Sequence, residues 1–115
     1  MRLKKGDIVL VNFPFTGLST TKLRPALVLT ATSAMDEVTL CVISSQNVTS
    51  LSLEEFALNI SDVEFPGTGL RVSSKVRVTR IATLERRLII RRLGELGSLQ
   101  MQQLNAVMIQ AFQIM

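Results

Sequence analysis

Apolar residues in this chain fall in short blocks bounded by turn-forming residues, a spacing that predicts strands everywhere except near the C-terminus. The block Ile8-Val9-Leu10-Val11 predicts a first strand over residues 7–13, which Pro14 ends because it cannot donate to a ladder. Ala26-Leu27-Val28-Leu29 predicts a second over 26–31, opened by Pro25, and residues 32–36 read as a polar turn. β-Branched residues dominate 37–44, the third strand, and Ser45-Gln46-Asn47 marks its polar end. Phe56, Leu58 and Ile60 alternate with Glu55, Ala57 and Asn59, predicting a short strand over 55–60. Residues 64–69 form a Pro/Gly turn cluster. Beyond it Arg71, Ser73, Lys75, Arg77 and Thr79 alternate with Val72, Ser74, Val76 and Val78. That period of two places Arg71, Lys75 and Arg77 on one face, directed to solvent or to a partner. Residues 81–84 continue as a bent strand, and Leu88-Ile89-Ile90 makes a last short one.

The tail changes period. After Ser98, a good N-cap, Leu104, Val107, Met108, Ala111, Phe112 and Met115 recur as the stripe of an amphipathic helix, with Gln100, Gln102, Gln103, Gln110 and Gln113 on the polar remainder. With no linker or repeat, residues 1–115 read as one domain. The fold class expected is mainly β: a small, strongly bent antiparallel sheet or barrel covered by a C-terminal helix.

Composition narrows the function classes. A hydrophobic share of 47% excludes a disordered chain, and no apolar run approaches the roughly 20 residues that span a bilayer. The basic N-terminus is not followed by an apolar region with a cleavage site, so a soluble, cytoplasmic protein without a signal peptide is expected. There is no histidine, which removes every His-dependent triad, acid–base pair and metal site; the single Cys41, set among Leu40, Val42 and Ile43, reads as a small buried hydrophobe. No metal or cofactor is expected. Five Phe and no Trp or Tyr argue against a base-stacking platform.

The net charge of +4 is unevenly distributed. Residues 26–70 contain no Lys or Arg but six carboxylates, whereas residues 71–92 carry eight Lys or Arg against Glu85 alone. Such segregation fits a polyanionic or acidic protein partner, and fits also solvated strand edges guarded against aggregation. Between the first two strands, residues 13–25 are rich in hydroxyl and cationic side chains, a polar loop on a stiff scaffold.

These features come together in a resemblance. Gly6-Asp7-Ile8-Val9-Leu10-Val11, a polar loop, Arg24-Pro25-Ala26-Leu27-Val28-Leu29, then Val42-Ile43-Ser44 and Val76-Arg77-Val78-Thr79-Arg80-Ile81-Ala82-Thr83-Leu84 resemble, in that order, the MazF/PemK toxins of bacterial toxin–antitoxin systems. The resemblance implies an SH3-like barrel, a homodimer, and a metal-independent, sequence-selective endoribonuclease acting on single-stranded RNA. It implies Arg24 and Ser44 as catalytic residues, with Ser45 beside Ser44 as an alternative match. Thr20, Thr21, Lys22, Ser45, Gln46, Arg77 and Arg80 are the candidate RNA contacts. The implied partners are RNA, a cognate antitoxin with an acidic tail, and operator DNA for the toxin–antitoxin complex, with no membrane.

The chemistry is coherent without the resemblance. When an RNA 2′-OH attacks in line, negative charge grows on the phosphoryl oxygens, and a guanidinium offers a planar fork of donors matched to them. The products that the resemblance implies are a 2′,3′-cyclic phosphate and a 5′-hydroxyl. Arginine stays protonated and a hydroxyl is a poor base, so the general base is left open and slow turnover is expected. In one respect the chain departs from the pattern of the family it resembles: Arg80 stands where members often carry Gln and Ala82 where they carry Arg. Two other readings remain: a non-catalytic toxin of the same fold that binds DNA gyrase, and a basic nucleic-acid-binding barrel without activity.

Overall fold

The computed structural model describes residues 2–14, 21–31 and 36–114. The expected turn over 32–35 and the loop tip over 15–20 lie outside them. Six strands are present among the described residues: β1 (Asp7–Pro14), β2 (Thr21–Ala31), β3 (Glu37–Ser44), β4 (Glu55–Leu58), β5 (Ser74–Glu85) and β6 (Ile89–Glu95), followed by helix α1 (Ser98–Phe112). They form one antiparallel sheet in the order β4-β5-β3-β2-β1-β6. β4 and β6 are its two edges and do not pair with one another, so the sheet bends strongly without closing.

Extra residues inserted on one side of a ladder produce bends of this kind. On β5 the pairing jumps from Arg77 opposite Val42 to Ile81 opposite Cys41, leaving three residues outside the register. β6 gains a residue twice against β1, and β2 gains one against β3. The result buries both faces of the central strands. One core holds Ile8, Leu27, Leu29, Cys41, Ile43, Phe56, Leu58, Val76 and Val78 under α1, which contributes Leu104 with Met101, Val107 and Met108 alongside. The other holds Val9, Val11, Ala26, Val28, Val38 and Leu40, closed by Leu3 and Ile89. Successive residues of β1, β2 and β3 enter opposite cores, which is why those strands read as unbroken apolar runs.

Several boundaries differ from expectation for identifiable reasons. β2 begins at Thr21, so Pro25 lies inside the strand, opposite Leu10, not at its start. Pairing with β3 starts only at Ala26, so Pro25 sits just outside that ladder and its missing N–H withdraws nothing from β3. β4 stops at Leu58, where Ile60 N–H donates to Ser73 Oγ at 2.8 Å instead of continuing a ladder. β5 starts at Ser74, leaving Arg71 and Ser73 in the preceding loop. Lys75 does not face solvent or a partner; it is buried on the ion pair described below. β6 runs through Arg91 and Arg92 to Glu95, because pairing with β1 overrides their polarity.

The cap of α1 also differs. Gly97, not Ser98, occupies the N-cap position, and glycine brings no capping side chain. Glu64 supplies it from a distant segment, accepting from the N–H groups of Leu99 at 3.1 Å and Gln100 at 2.9 Å. Those N–H donors hold the Glu64 carboxyl below the usual carboxylate range. Gln100 turns back to accept from Gly97 N–H at 2.9 Å, which buries a side chain assigned to the polar face. At the other end of the stripe Phe112 is 40% exposed. None of the described helices is long and apolar enough to cross a membrane.

Candidate active site

Arg24 is half-buried on β2, opposite Val11. It lines a cavity of about 200 Å³ with Pro25, Ile43, Ser45, Leu70, Arg71, Val72 and Ser74. Three elements meet there. β2 brings Arg24, the end of β3 brings Ser45, and the loop before β5 brings Arg71. No carboxylate is among the lining residues, while two guanidinium-bearing and two hydroxyl-bearing residues are. Ile43, Leu70 and Val72 make part of the wall apolar. An anion entering this space meets donors without a competing negative charge.

Ser44 is placed differently. It pairs with Lys75 on β5, and its Oγ accepts the Gln46 N–H at 3.1 Å, so it braces the turn that leaves β3. Of the two adjacent serines, Ser45 is the one that lines the Arg24 cavity. Alternation along a strand explains the split, since neighbouring side chains leave on opposite faces. Gln46 is exposed on the same turn.

Behind the turn lies a compact ion cluster. The nearly buried Lys75 donates through Nζ to Glu55 Oε1 at 3.1 Å and to the Ser50 carbonyl at 3.0 Å. Arg77 Nε donates to Glu55 Oε2 at 2.9 Å. The Ser52 N–H, with Lys75 and Arg77, holds the Glu55 carboxyl below the usual carboxylate range. This cluster ties residues 45–54, the segment that carries Ser45, to β4 and β5. Arg77 is thereby partly committed to Glu55, with its side chain still 40% exposed.

Arg80 lines a second, shallower groove of about 400 Å³ with Phe13, Val42, Thr79, Ile81 and Ala82. Lys22 is exposed on β2, opposite Phe13. Thr21 begins β2, and Thr20 lies outside the described residues. Among the described residues, Lys4, Lys75, Arg77, Arg86, Arg87 and Arg92 have carboxylate partners. Arg2, Lys5, Lys22, Arg24, Arg71, Arg80 and Arg91 have none there, and of these Arg24, Arg71 and Arg80 line the cavity or the groove.

Arg71 and Ser74 are the polar cavity residues absent from the sequence-based candidates. Alternation had marked Arg71 as a cation, but only the route of the loop brings it to Arg24. Cys41 is buried, and burial pushes its thiol up to about 12, so it is no nucleophile.

A family model described as the PemK-like, MazF-like toxin of type II toxin–antitoxin systems matches residues 4–112. Among solved structures, the chain is similar to the Mycobacterium tuberculosis toxin MazF-mt6, with 20% identity, a TM-score of 0.73, and coverage of 95% of this chain and 98% of the other. It is similar also to a mycobacterial endoribonuclease in complex with its cognate antitoxin, with 17% identity, a TM-score of 0.71 and coverage of 99% and 98%. A third likeness is to a chain of the MazE-MazF (Form-II) crystal structure from Deinococcus radiodurans, with 18% identity, a TM-score of 0.70 and coverage of 98% and 97%. Among curated proteins none matches the chain.

Proposed function

The chain belongs to the PemK-like, MazF-like toxin family of type II toxin–antitoxin systems, and on that premise we propose that it is a metal-independent, sequence-selective endoribonuclease acting on single-stranded RNA. The observation that carries this reading is the Arg24 cavity. It combines a half-buried arginine that has no carboxylate partner among the described residues with the Ser45 hydroxyl, and no carboxylate is among its described lining residues.

In this reading the scissile phosphate enters the cavity and the RNA's own 2′-OH attacks phosphorus. A new O–P bond forms as the 2′-OH gives up its proton to solvent water, the bond to the 5′-oxygen breaks as that oxygen takes up a proton from water, and the strand separates into a 2′,3′-cyclic phosphate and a 5′-hydroxyl. Arg24 donates to the phosphoryl oxygens as their charge grows, which is worth several kcal/mol when the donor is held in place beforehand. Its position within β2 provides that fixity. Ser45 takes the hydroxyl role, donating to a phosphoryl oxygen, while Ser44 holds the turn. Lys22, Arg80 and the tip of the β1–β2 loop contact flanking nucleotides and select sequence. The active species is a homodimer, inhibited by an antitoxin whose acidic tail competes with RNA for the same cations; the toxin–antitoxin complex binds operator DNA.

Incubation of purified protein with single-stranded RNA in the presence of a chelator tests the reading. Wild type yields fragments ending in 2′,3′-cyclic phosphate, and Arg24→Ala does not. RNA left intact by wild type, or cut equally by the variant, overturns it. In that event recovery of gyrase in a pull-down favours the gyrase-binding toxin instead.

A further inference from the structure

We propose that Arg71 is a second anion-binding residue of the Arg24 cavity, holding a phosphate of the bound RNA strand in the ground state. The inference rests on the endoribonuclease reading for its ligand class, but its evidence is separate. Arg71 and Arg24 line the same cavity from different elements, and neither has a carboxylate partner among the described residues. Arg77, the next arginine along the chain, donates to Glu55, and Lys75 between them is buried on the same carboxylate. Of the cations alternating through residues 71–77, Arg71 alone has no carboxylate partner among the described residues.

The loop that delivers Arg71 is fixed at several points. Gly69 turns it with φ +74°, Thr68 Oγ donates to the Phe65 carbonyl at 2.7 Å, and Leu70 N–H donates to Thr68 Oγ at 3.2 Å. Downstream, Ser73 Oγ accepts from Ile60 N–H at 2.8 Å and Ser74 Oγ donates to the Val72 carbonyl at 3.0 Å. The backbone is therefore held while the exposed guanidinium stays in water. A charge in that setting attracts the phosphate backbone about equally in the ground state and the transition state, so it acts on substrate binding more than on the chemical step. Arg24, half-buried on its strand, acts on the chemical step.

The test uses an RNA oligonucleotide 2′-O-methylated throughout, which cannot be cleaved by internal attack, with binding followed by fluorescence anisotropy across a salt series. Arg71→Ala is expected to weaken binding about tenfold at low salt and to make the slope of log K against log salt shallower by about 0.7, the loss of one phosphate contact on a single strand. Arg71→Lys restores most of the slope, because charge alone sets it. Arg87→Ala, which removes a cation already paired with Glu85, leaves the slope unchanged. On cleavable RNA, Arg71→Ala raises KM about tenfold with kcat changed by less than about twofold. An unchanged salt slope in Arg71→Ala, or an equal fall in Arg87→Ala, overturns the proposal even where Arg24-dependent cleavage persists. A changed slope without any RNA cleavage by wild type upholds Arg71 as an RNA contact and overturns the catalytic reading alone.

Discussion

Lys75 Nζ lies 3.1 Å from Glu55 Oε1, and each side chain is only 9% exposed. The pair also holds the Ser50 carbonyl and the Ser52 N–H, so the later part of the segment after β3 is anchored to it. Removing one partner leaves the other charge buried without compensation. Glu55→Ala is therefore expected to cost about 3 kcal/mol of stability, read from urea denaturation. A loss within experimental error would show that the pair holds nothing.

The same carboxylate sets a pH dependence. The folded-state pKa of Glu55 is lowered from an ordinary 4.5, with the Ser52 N–H as the largest cause of the lowering. A depressed carboxyl contributes stability that is fully present above its unfolded value and lost as pH falls through the folded one. The buried Asp7, held by Lys4 and Arg92, acts in the same direction from an ordinary 3.8. Unfolding free energy should hold steady above about pH 5 and decline in more acidic solution. The decline should be shallower in Glu55→Gln, which a urea series at stepped pH would reveal.

Leu104 is the fully buried side chain of α1, packed into the core beneath it. Leu104→Ala should cost about 2–5 kcal/mol, whereas Ile109→Ala on the exposed side of the same helix should stay within about 0.5 kcal/mol. Similar unfolding midpoints for the two variants would contradict the packing of the helix on the sheet.

Gly69 has φ +74°, and a Cβ there would collide with the Leu93 carbonyl. Gly69→Ala should destabilise by more than about 1 kcal/mol, from the backbone conformation together with the collision. Because this turn presents Arg71, RNA binding should weaken in the same variant at temperatures where it remains folded, as circular dichroism and anisotropy on one sample can establish.

The adjacent serines provide a direct comparison. Arg24→Ala should reduce kcat by about 10²–10³-fold, as expected for loss of a preorganised donor. Ser45→Ala should reduce it about tenfold, the value of one well-placed hydrogen bond. Ser44→Ala, which loses an acceptor for Gln46 N–H, should act mainly on stability. Single-turnover cleavage of one RNA by the three variants ranks them; a larger kcat loss for Ser44→Ala than for Ser45→Ala would reverse the assignment of the hydroxyl.

Local chemistry was enough to reveal a good deal. Apolar runs marked β1 and β3, with β3 matching its span of Glu37–Ser44, and the change of period marked α1. Arg24 next to Pro25, taken with the order of the surrounding blocks, pointed to the family. Those signals are legible because burial and backbone restrictions act on neighbouring residues. Other features depend on segments that meet only after folding. Glu64 caps α1 from more than thirty positions upstream, and Glu55 turns Lys75 from a surface cation into a buried one. The β1–β2 ladder carries β2 through Pro25, back to Thr21. Arg71 reaches the Arg24 cavity through a loop whose route is set by Gly69 and by packing against β6. Whether Ser44 or Ser45 faces that cavity turns on strand parity, which a single-residue shift in register would reverse. Sequence by itself determined the class of fold and the family; tertiary structure decided which hydroxyl and which second cation line the cavity with Arg24, because their encounter depends on the three-dimensional path of the chain and not on the residues next to them.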